Sequence, residues 1–244
     1  MGAGLSDVGK HRRAEVELRA ALALAGDDGR QRAWSLTVLG RTQLLCGDLD
    51  EAETTLVAAT GITREERWTG FLPYPESLLG DVYAATGRFD LAAEALEHAF
   101  TLGCSVNDAC WESYSARGLG VLAAARGDLG AALGHLDDAL LRCQRERDTH
   151  RWIHAYVTDA RCAVAIAAGD PRAASWTADL AAMAGAGGMT EFAVRAYLYR
   201  HELGEPGALD AARTLASGIE NPHLEIALDA GVSPLLAELV RVRG

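Results

Sequence analysis

Apolar positions along the chain recur three and four residues apart, the spacing that lines up side chains on one face of an α-helix. Each periodic run stops at a glycine and another opens behind it, at Gly9, Gly47, Gly87, Gly127, Gly169 and Gly204. The intervals between these glycines are 38, 40, 40, 42 and 35 residues. Glycine fits that place because the residue closing a helix often needs a positive φ. Five residues after the glycine stand Ala14, Ala52, Ala92, Ala132 and Ala174. Nine after stand Leu18, Leu56, Leu96, Leu136 and Ala178, and twelve after stand Ala21, Ala59, Ala99, Ala139 and Ala181. Steps of four and then three put each series on one face. Before the turn, Leu39-Gly40, Leu79-Gly80 and Leu119-Gly120 fall at matching places. The pattern predicts two antiparallel helices per unit, the small residue admitting a close neighbour and the leucine filling the space beside it.

These residues resemble the tetratricopeptide repeat, whose Leu-Gly pair, glycine turn and later small–large–small series appear here in order. The resemblance runs over nearly the whole chain and implies an all-α fold. That fold is a right-handed α-solenoid of about six antiparallel hairpins in a single domain spanning residues 1–244. Several features depart from the family. The unit is nearer 40 residues than 34, and the motif's terminal proline is missing. Arg161-Cys162 stands where Leu-Gly is expected, and the sixth unit has Leu209 in place of alanine. The longer units, with their Gly-Asp turns, are also similar to the C-terminal arrays of MalT-like and LuxR-family transcription activators and antibiotic regulatory proteins. That similarity implies an effector-sensing region.

The ends read differently from the middle. Helix 11–24 has few residues before Gly9, so the first helix of its unit is expected to be absent. Either the chain belongs to a longer regulator, or the polar side of helix 11–24 caps the stack. An uncapped first unit would also favour an end-to-end homodimer. Ser233-Pro234 is a good helix start, and a helix from there to Val242 is expected to close the other end.

Composition narrows the chemistry. The net charge of -11 disfavours direct binding to nucleic acid, which needs clustered basic residues. Lys10 is the only lysine among many arginines, a bias pointing to a GC-rich, bacterial coding sequence. The five cysteines form no C-x-x-C pair, which fits a reducing, cytoplasmic setting better than a disulfide framework. No apolar run is long enough to span a membrane. The start matches the short myristoylation pattern, which a bacterial start explains better.

In this repeat architecture, the resemblance implies, the first helix of each hairpin faces the concave side. The columns expected there are read by offset from the turn. Thirteen residues before it stand Trp34, Tyr74, Tyr114 and Tyr156, ten before stand Thr37, Ser77, Arg117 and Asp159, and six before stand Arg41, Asp81, Val121 and Ala163. The expected ligand- or peptide-binding set is Trp34, Thr37, Arg41, Tyr74, Ser77, Asp81, Tyr114, Arg117, Tyr156 and Asp159. Rings with a polar tip bury large area at low entropy cost and still offer a hydrogen bond. The same rings could instead seal the links between hairpins.

Trp111 and Trp152 are placed just before their helices. Trp68 and Phe71 sit in the link from Thr63 to Pro75, either as a lid or tucked between hairpins. His150 and His154, close to Asp148, have a spacing that can ligate metal, but no third ligand is evident. His201-Glu202 begins a zinc-protease signature and lacks its second histidine. A buried Arg161 would need a partner, a carboxylate or a ligand, unless a local register shift accounts for its place. No phosphate loop, nucleophile elbow or Ser/His/Asp set is present, so neither catalysis nor a cofactor is expected. The leading expectation is a regulatory array that senses an effector or peptide for a transcriptional regulator. A protein-interaction scaffold is the alternative, and a metal-assisted enzyme the third.

Overall fold

The computed structural model describes residues 1–145 and 150–243, and in the last helix the side chains up to Leu239. Among these residues every regular element is a helix. Six hairpins follow in order: α1 (Gly2–Asp7) with α2 (His11–Leu24), α3 (Gly29–Cys46) with α4 (Leu49–Glu65), α5 (Pro73–Ala85) with α6 (Phe89–Val106), α7 (Ala109–Ala125) with α8 (Leu129–Cys143), α9 (Arg151–Ala168) with α10 (Ala173–Gly187), and α11 (Thr190–Glu202) with α12 (Ala208–Leu215). Two helices remain, α13 (Pro222–Ala230) and α14 (Pro234–Arg243). Gly9, Gly47, Gly87, Gly127, Gly169 and Gly204 stand at the six hairpin turns, each with φ between 67° and 90°. A side chain is strained there, which explains why the turns punctuate the sequence so clearly.

The Leu-Gly pairs work through the glycine. A Cβ on Gly40 would lie 2.5 Å from Leu56 Cγ, one on Gly80 2.6 Å from Leu96 Cγ, and one on Gly120 2.8 Å from Leu136 Cγ. The partner helices therefore approach at backbone contact, with the leucine seated over the gap. Leu56, Leu96 and Leu136 are fully buried, each a stabilisation of about 1.5–3 kcal/mol. The second helices bury a single stripe, Ala52, Leu56 and Ala59 in α4 for example. The first helices are buried on most sides, because they pack on their own partner and on the first helices of adjoining units.

Three expectations change. The first helix of the first unit is present, though short: α1 packs on α2, and Gly2 meets Leu18 as the other glycines meet their leucines, with a Cβ-to-Cγ approach of 2.6 Å. In the fifth unit the register slips by one. The buried positions of α10 are Ala173, Trp176, Thr177, Leu180 and Ala184, whereas Ala174 and Ala178 are exposed. Asp170-Pro171 forms a turn that starts α10 at Ala173 and shifts the alanine ladder. Trp111 and Trp152 lie within the first turns of α7 and α9 rather than before them.

The helix expected at the C-terminus is α14, preceded by α13, which starts at Pro222 behind the capping side chain of Asn221. Helix α13 packs on α3, and α14 packs on α7 and α9. All three are first helices, so the C-terminal pair lies on the inner side of the array. Leu235, Leu236 and Leu239 of α14 are buried in the main core.

The ends of the array meet. His11 Nε2 lies 2.9 Å from Glu191 Oε1, Asn221 Nδ2 donates to Glu191 (2.8 Å) and to the carbonyl of Leu45 (3.1 Å), and Lys10 Nζ donates to the carbonyl of Gly218 (2.6 Å). The first, second and sixth hairpins and the α13 approach are thereby tied into a closed ring.

Candidate functional site

The inner face is filled from the first helices. Trp34, Phe71, Tyr74, Trp111, Tyr114, Trp152, Tyr156 and Phe192 form a continuous run of rings, with neighbouring centroids 4.5 to 6.5 Å apart. Tyr74, Tyr114 and Tyr156 are buried, whereas Trp34 is 38% exposed. Phe71 is buried and stacked on Trp68 at 4.2 Å. The link between α4 and α5 is therefore packed against the array, not raised as a flap.

Polar members of the columns pair with one another. Arg117 Nη1 donates to Asp81 Oδ2 (2.9 Å), the Tyr156 hydroxyl donates to the same oxygen (3.1 Å), and the Arg117 guanidinium lies 3.7 Å from the Tyr156 ring centre. One unit further, Arg195 donates to Asp159 Oδ2 (3.1 Å) and the Tyr199 hydroxyl to Asp159 Oδ1 (2.9 Å). Arg41 pairs with Asp7 (2.6 Å) and lies 4.4 Å from the Trp152 ring centre. Thr37 donates to the carbonyl of Ala33 (2.7 Å). Ser77 donates to that of Pro73 (2.7 Å) and meets Ser115 (2.8 Å). The Tyr114 hydroxyl, Asp81 Oδ1, Arg117 Nε and Arg195 Nε are buried without a hydrogen-bond partner among the described residues.

Charge balance follows from burial. Burial raises the Asp81 carboxyl above its ordinary range, against the opposing pull of Arg117 and Tyr156. Burial pushes the Arg117 guanidinium down, yet Asp81 and the tyrosines outweigh it and hold it protonated. Burial likewise raises the Tyr156 phenol. Buried pairs of this kind persist because removing one partner strands the other.

Between this face and α13–α14 lies a cavity of about 450 Å³, within the usual range for a small-molecule site. Of the ten residues the sequence singles out, Asp81, Arg117 and Tyr156 line it. The other seven, Trp34, Thr37, Arg41, Tyr74, Ser77, Tyr114 and Asp159, do not. Arg195, Pro222, His223, Leu235, Glu238 and Leu239 also line it. Sequence reading missed them. Arg195 lies nine residues before Gly204, the place Gly118 holds before Gly127, so no polar column marks it. The α13–α14 residues carry no repeat signal at all.

The histidine and arginine candidates resolve differently. His150 is exposed; His154 is half-buried, and burial holds its pKa down. Asp148 lies outside the described residues. Arg161 meets Asp137 at 2.6 Å and lies 3.5 Å from the Trp176 ring centre, which supplies the carboxylate partner its position calls for. Among the described residues no helix is long and apolar enough to cross a membrane.

Hairpin pairing, turn glycines and inner-face columns define an α-solenoid of helical-repeat type. Residues 77–102, spanning most of the α5–α6 hairpin, match the tetratricopeptide repeat model. No curated protein matches the sequence. Among solved structures, the chain is similar to the Rap conjugation gene regulator of the plasmid pLS20 in complex with the Phr* peptide. The two share 14% identity over 97% of this chain and 68% of that one, with a TM-score of 0.67. It is also similar to BtubC (BKLC) from P. vanneervenii, at 19% identity over 97% of this chain and 89% of that one, with a TM-score of 0.56. At these identities the likeness is one of fold.

Proposed function

We propose that the chain is a non-catalytic regulatory array that takes a small effector in the cavity between its inner face and α13–α14. In this reading it is the effector-sensing region of a bacterial transcriptional regulator and passes its state to a protein partner. The cavity carries the reading: it is bounded by five first helices and by both C-terminal helices, so an occupant touches the second to sixth hairpins and the C-terminal pair at once. The ring is closed by His11 with Glu191 and Asn221 with Leu45, so an occupant that bridges the inner face and α13–α14 acts on those closing contacts. A thermal-shift screen of metabolites tests it. A true effector raises the melting temperature with concentration, by about 2.7 kcal/mol of stabilisation at a hundred times its dissociation constant. Val121 lines the cavity one helical turn from Arg117; Val121→Phe narrows it and removes that shift.

A second reading is a peptide or protein partner taken on the inner face in place of α14. The solved Rap regulator in complex with the Phr* peptide favours it, as a relative in fold. A partner that displaces α14 increases amide exchange across residues 222–239, whereas a cavity effector decreases it.

A further inference from the structure

We infer that α14 is the built-in occupant of a helix-binding groove, and that the groove's better occupant is an amphipathic helix of a partner protein with bulky apolar side chains where α14 has Leu235 and Leu239. The inference rests on the partner reading above and adds the partner's conformation and its anchoring residues. Helix α14 packs on α7 and α9 at the inner face, with Leu235, Leu236 and Leu239 buried. Leu235 and Leu239 stand one turn apart on one side of the helix, and both line the cavity, whereas Leu236 does not. Part of the apolar face of α14 therefore looks onto about 450 Å³ of unfilled space. Opposite stand Ala84 and Ala85 of α5 and Val121 and Ala125 of α7, short side chains that leave that space open. A leucine beside a void forgoes the dispersion contacts of close packing. A larger apolar side chain at the same two places would regain them.

The inner face selects a helix. Among the described residues its elements are all helices, so no strand edge is offered to an extended peptide. The polar side chains that could bind such a backbone are engaged with one another, Arg117 with Asp81, Arg195 with Asp159 and Ser77 with Ser115. A helix satisfies its own backbone and asks only for an apolar seat. The two C-terminal helices are held separately. Leu224, Ala227 and Leu228 of α13 form a cluster with Val194, Leu198 and Ala212, and Asn221 ties the start of α13 to Leu45 and Glu191. The leucines of α14 belong to the main core instead. Gly231 joins the two helices at φ 72°. Helix α14 leaves its seat while α13 stays anchored, and the cost of that departure lowers the apparent affinity of every incoming helix.

The test uses the full chain and labelled synthetic peptides of the 233–243 sequence, read by fluorescence anisotropy and amide exchange. A peptide carrying Leu235→Phe and Leu239→Phe binds at least about tenfold more tightly than the unaltered one, and a peptide carrying Leu235→Ser and Leu239→Ser does not bind. Adding Ala237→Pro to the phenylalanine peptide abolishes its binding, because proline breaks the helix. On binding, residues 234–239 of the chain exchange faster while residues 222–230 keep their protection. Two variants of the chain complete the test. Leu236→Ala loosens α14 at a residue outside the cavity lining, and tightens the phenylalanine peptide by about tenfold or more. Leu239→Phe fills the space from within, raises the melting temperature and weakens the same peptide, and it reports even where Leu236→Ala fails to fold. Binding that survives Ala237→Pro, or equal binding of the phenylalanine and serine peptides, overturns the helix assignment and leaves the partner reading standing. Failure of the phenylalanine peptide on both wild type and Leu236→Ala, or a lower melting temperature for Leu239→Phe, overturns the inference. The partner reading falls with it if no other peptide speeds exchange across residues 222–239.

Discussion

His11, in the first turn of α2, faces Glu191, in the first turn of α11, at 2.9 Å, and both are buried. Some 180 residues separate them in the chain, so this contact is a direct reading of ring closure. Burial raises the Glu191 carboxyl, but the bond from His11, the charges of His11 and Arg195 and the bond from Asn221 outweigh it. Its pKa lies below the ordinary 4.5. A depressed carboxyl stabilises the fold fully above its unfolded value and loses that contribution as pH falls through the folded one. Melting temperature should therefore drop below about pH 4.5, and Glu191→Gln should flatten that part of the profile. Parallel profiles for the two proteins would remove Glu191 from the acid response.

Two glycines inside helices should answer oppositely to alanine. Gly61 in α4 has nothing within 4 Å of its would-be Cβ. Gly61→Ala gains about 0.5–1 kcal/mol from helix propensity. Gly80 in α5 would set its Cβ 2.6 Å from Leu96 Cγ, and overpacking there costs about 1–3 kcal/mol. Chemical denaturation of the two variants reads the difference, and a stabilised Gly80→Ala would contradict the close helix approach.

Asp159 is fully buried, with Arg195 and Tyr199 both donating to it. Asp159→Ala strands the guanidinium and should cost about 3–5 kcal/mol. Replacing Asp159 and Arg195 together by apolar residues should recover much of that loss, measured in a double-mutant cycle.

Leu239 of α14 is 2% exposed. Leu239→Ala should cost about 2–5 kcal/mol. Exchange of the α13–α14 amides should rise more than exchange in α4 to α6. A uniform rise would mean that α14 has no separate docking step.

The thiols should separate by burial under native alkylation. Cys104 is exposed, while Cys143 and Cys162 are buried. Burial pushes the Cys143 thiol up to about 11 and raises Cys162 as well. Cys104 should label first, and Cys143 and Cys162 only as the chain unfolds, followed by peptide mass.

The hairpins were legible because their causes are local. A turn that needs positive φ restricts Gly47 or Gly87 to glycine, and a backbone contact restricts Gly80 to a residue without a Cβ. Those constraints repeat with the unit and stand out as columns. The slip at α10 was not legible, because alanines at 173, 174, 178 and 181 fit two registers equally and only Trp176 and Leu180 decide between them. The inner-face columns were visible as aromatic and polar positions. What they enclose was not, because the cavity depends on where α13 and α14 fold back, and that is fixed by contacts such as Asn221 with Leu45 at a separation of 176 residues. Arg195 follows the same rule: its role comes from Asp159 in the preceding unit, not from its own neighbours in sequence.

An open row of repeats tolerates gain or loss of a module, since each new neighbour offers the same face. Joining the first turn of α2 to the first turn of α11 removes that freedom. Inserting one more hairpin would carry Glu191 away from His11 and draw Asn221 off Leu45, so the number of units is set by circumference. Such a molecule should melt in a single step instead of fraying inward from its termini.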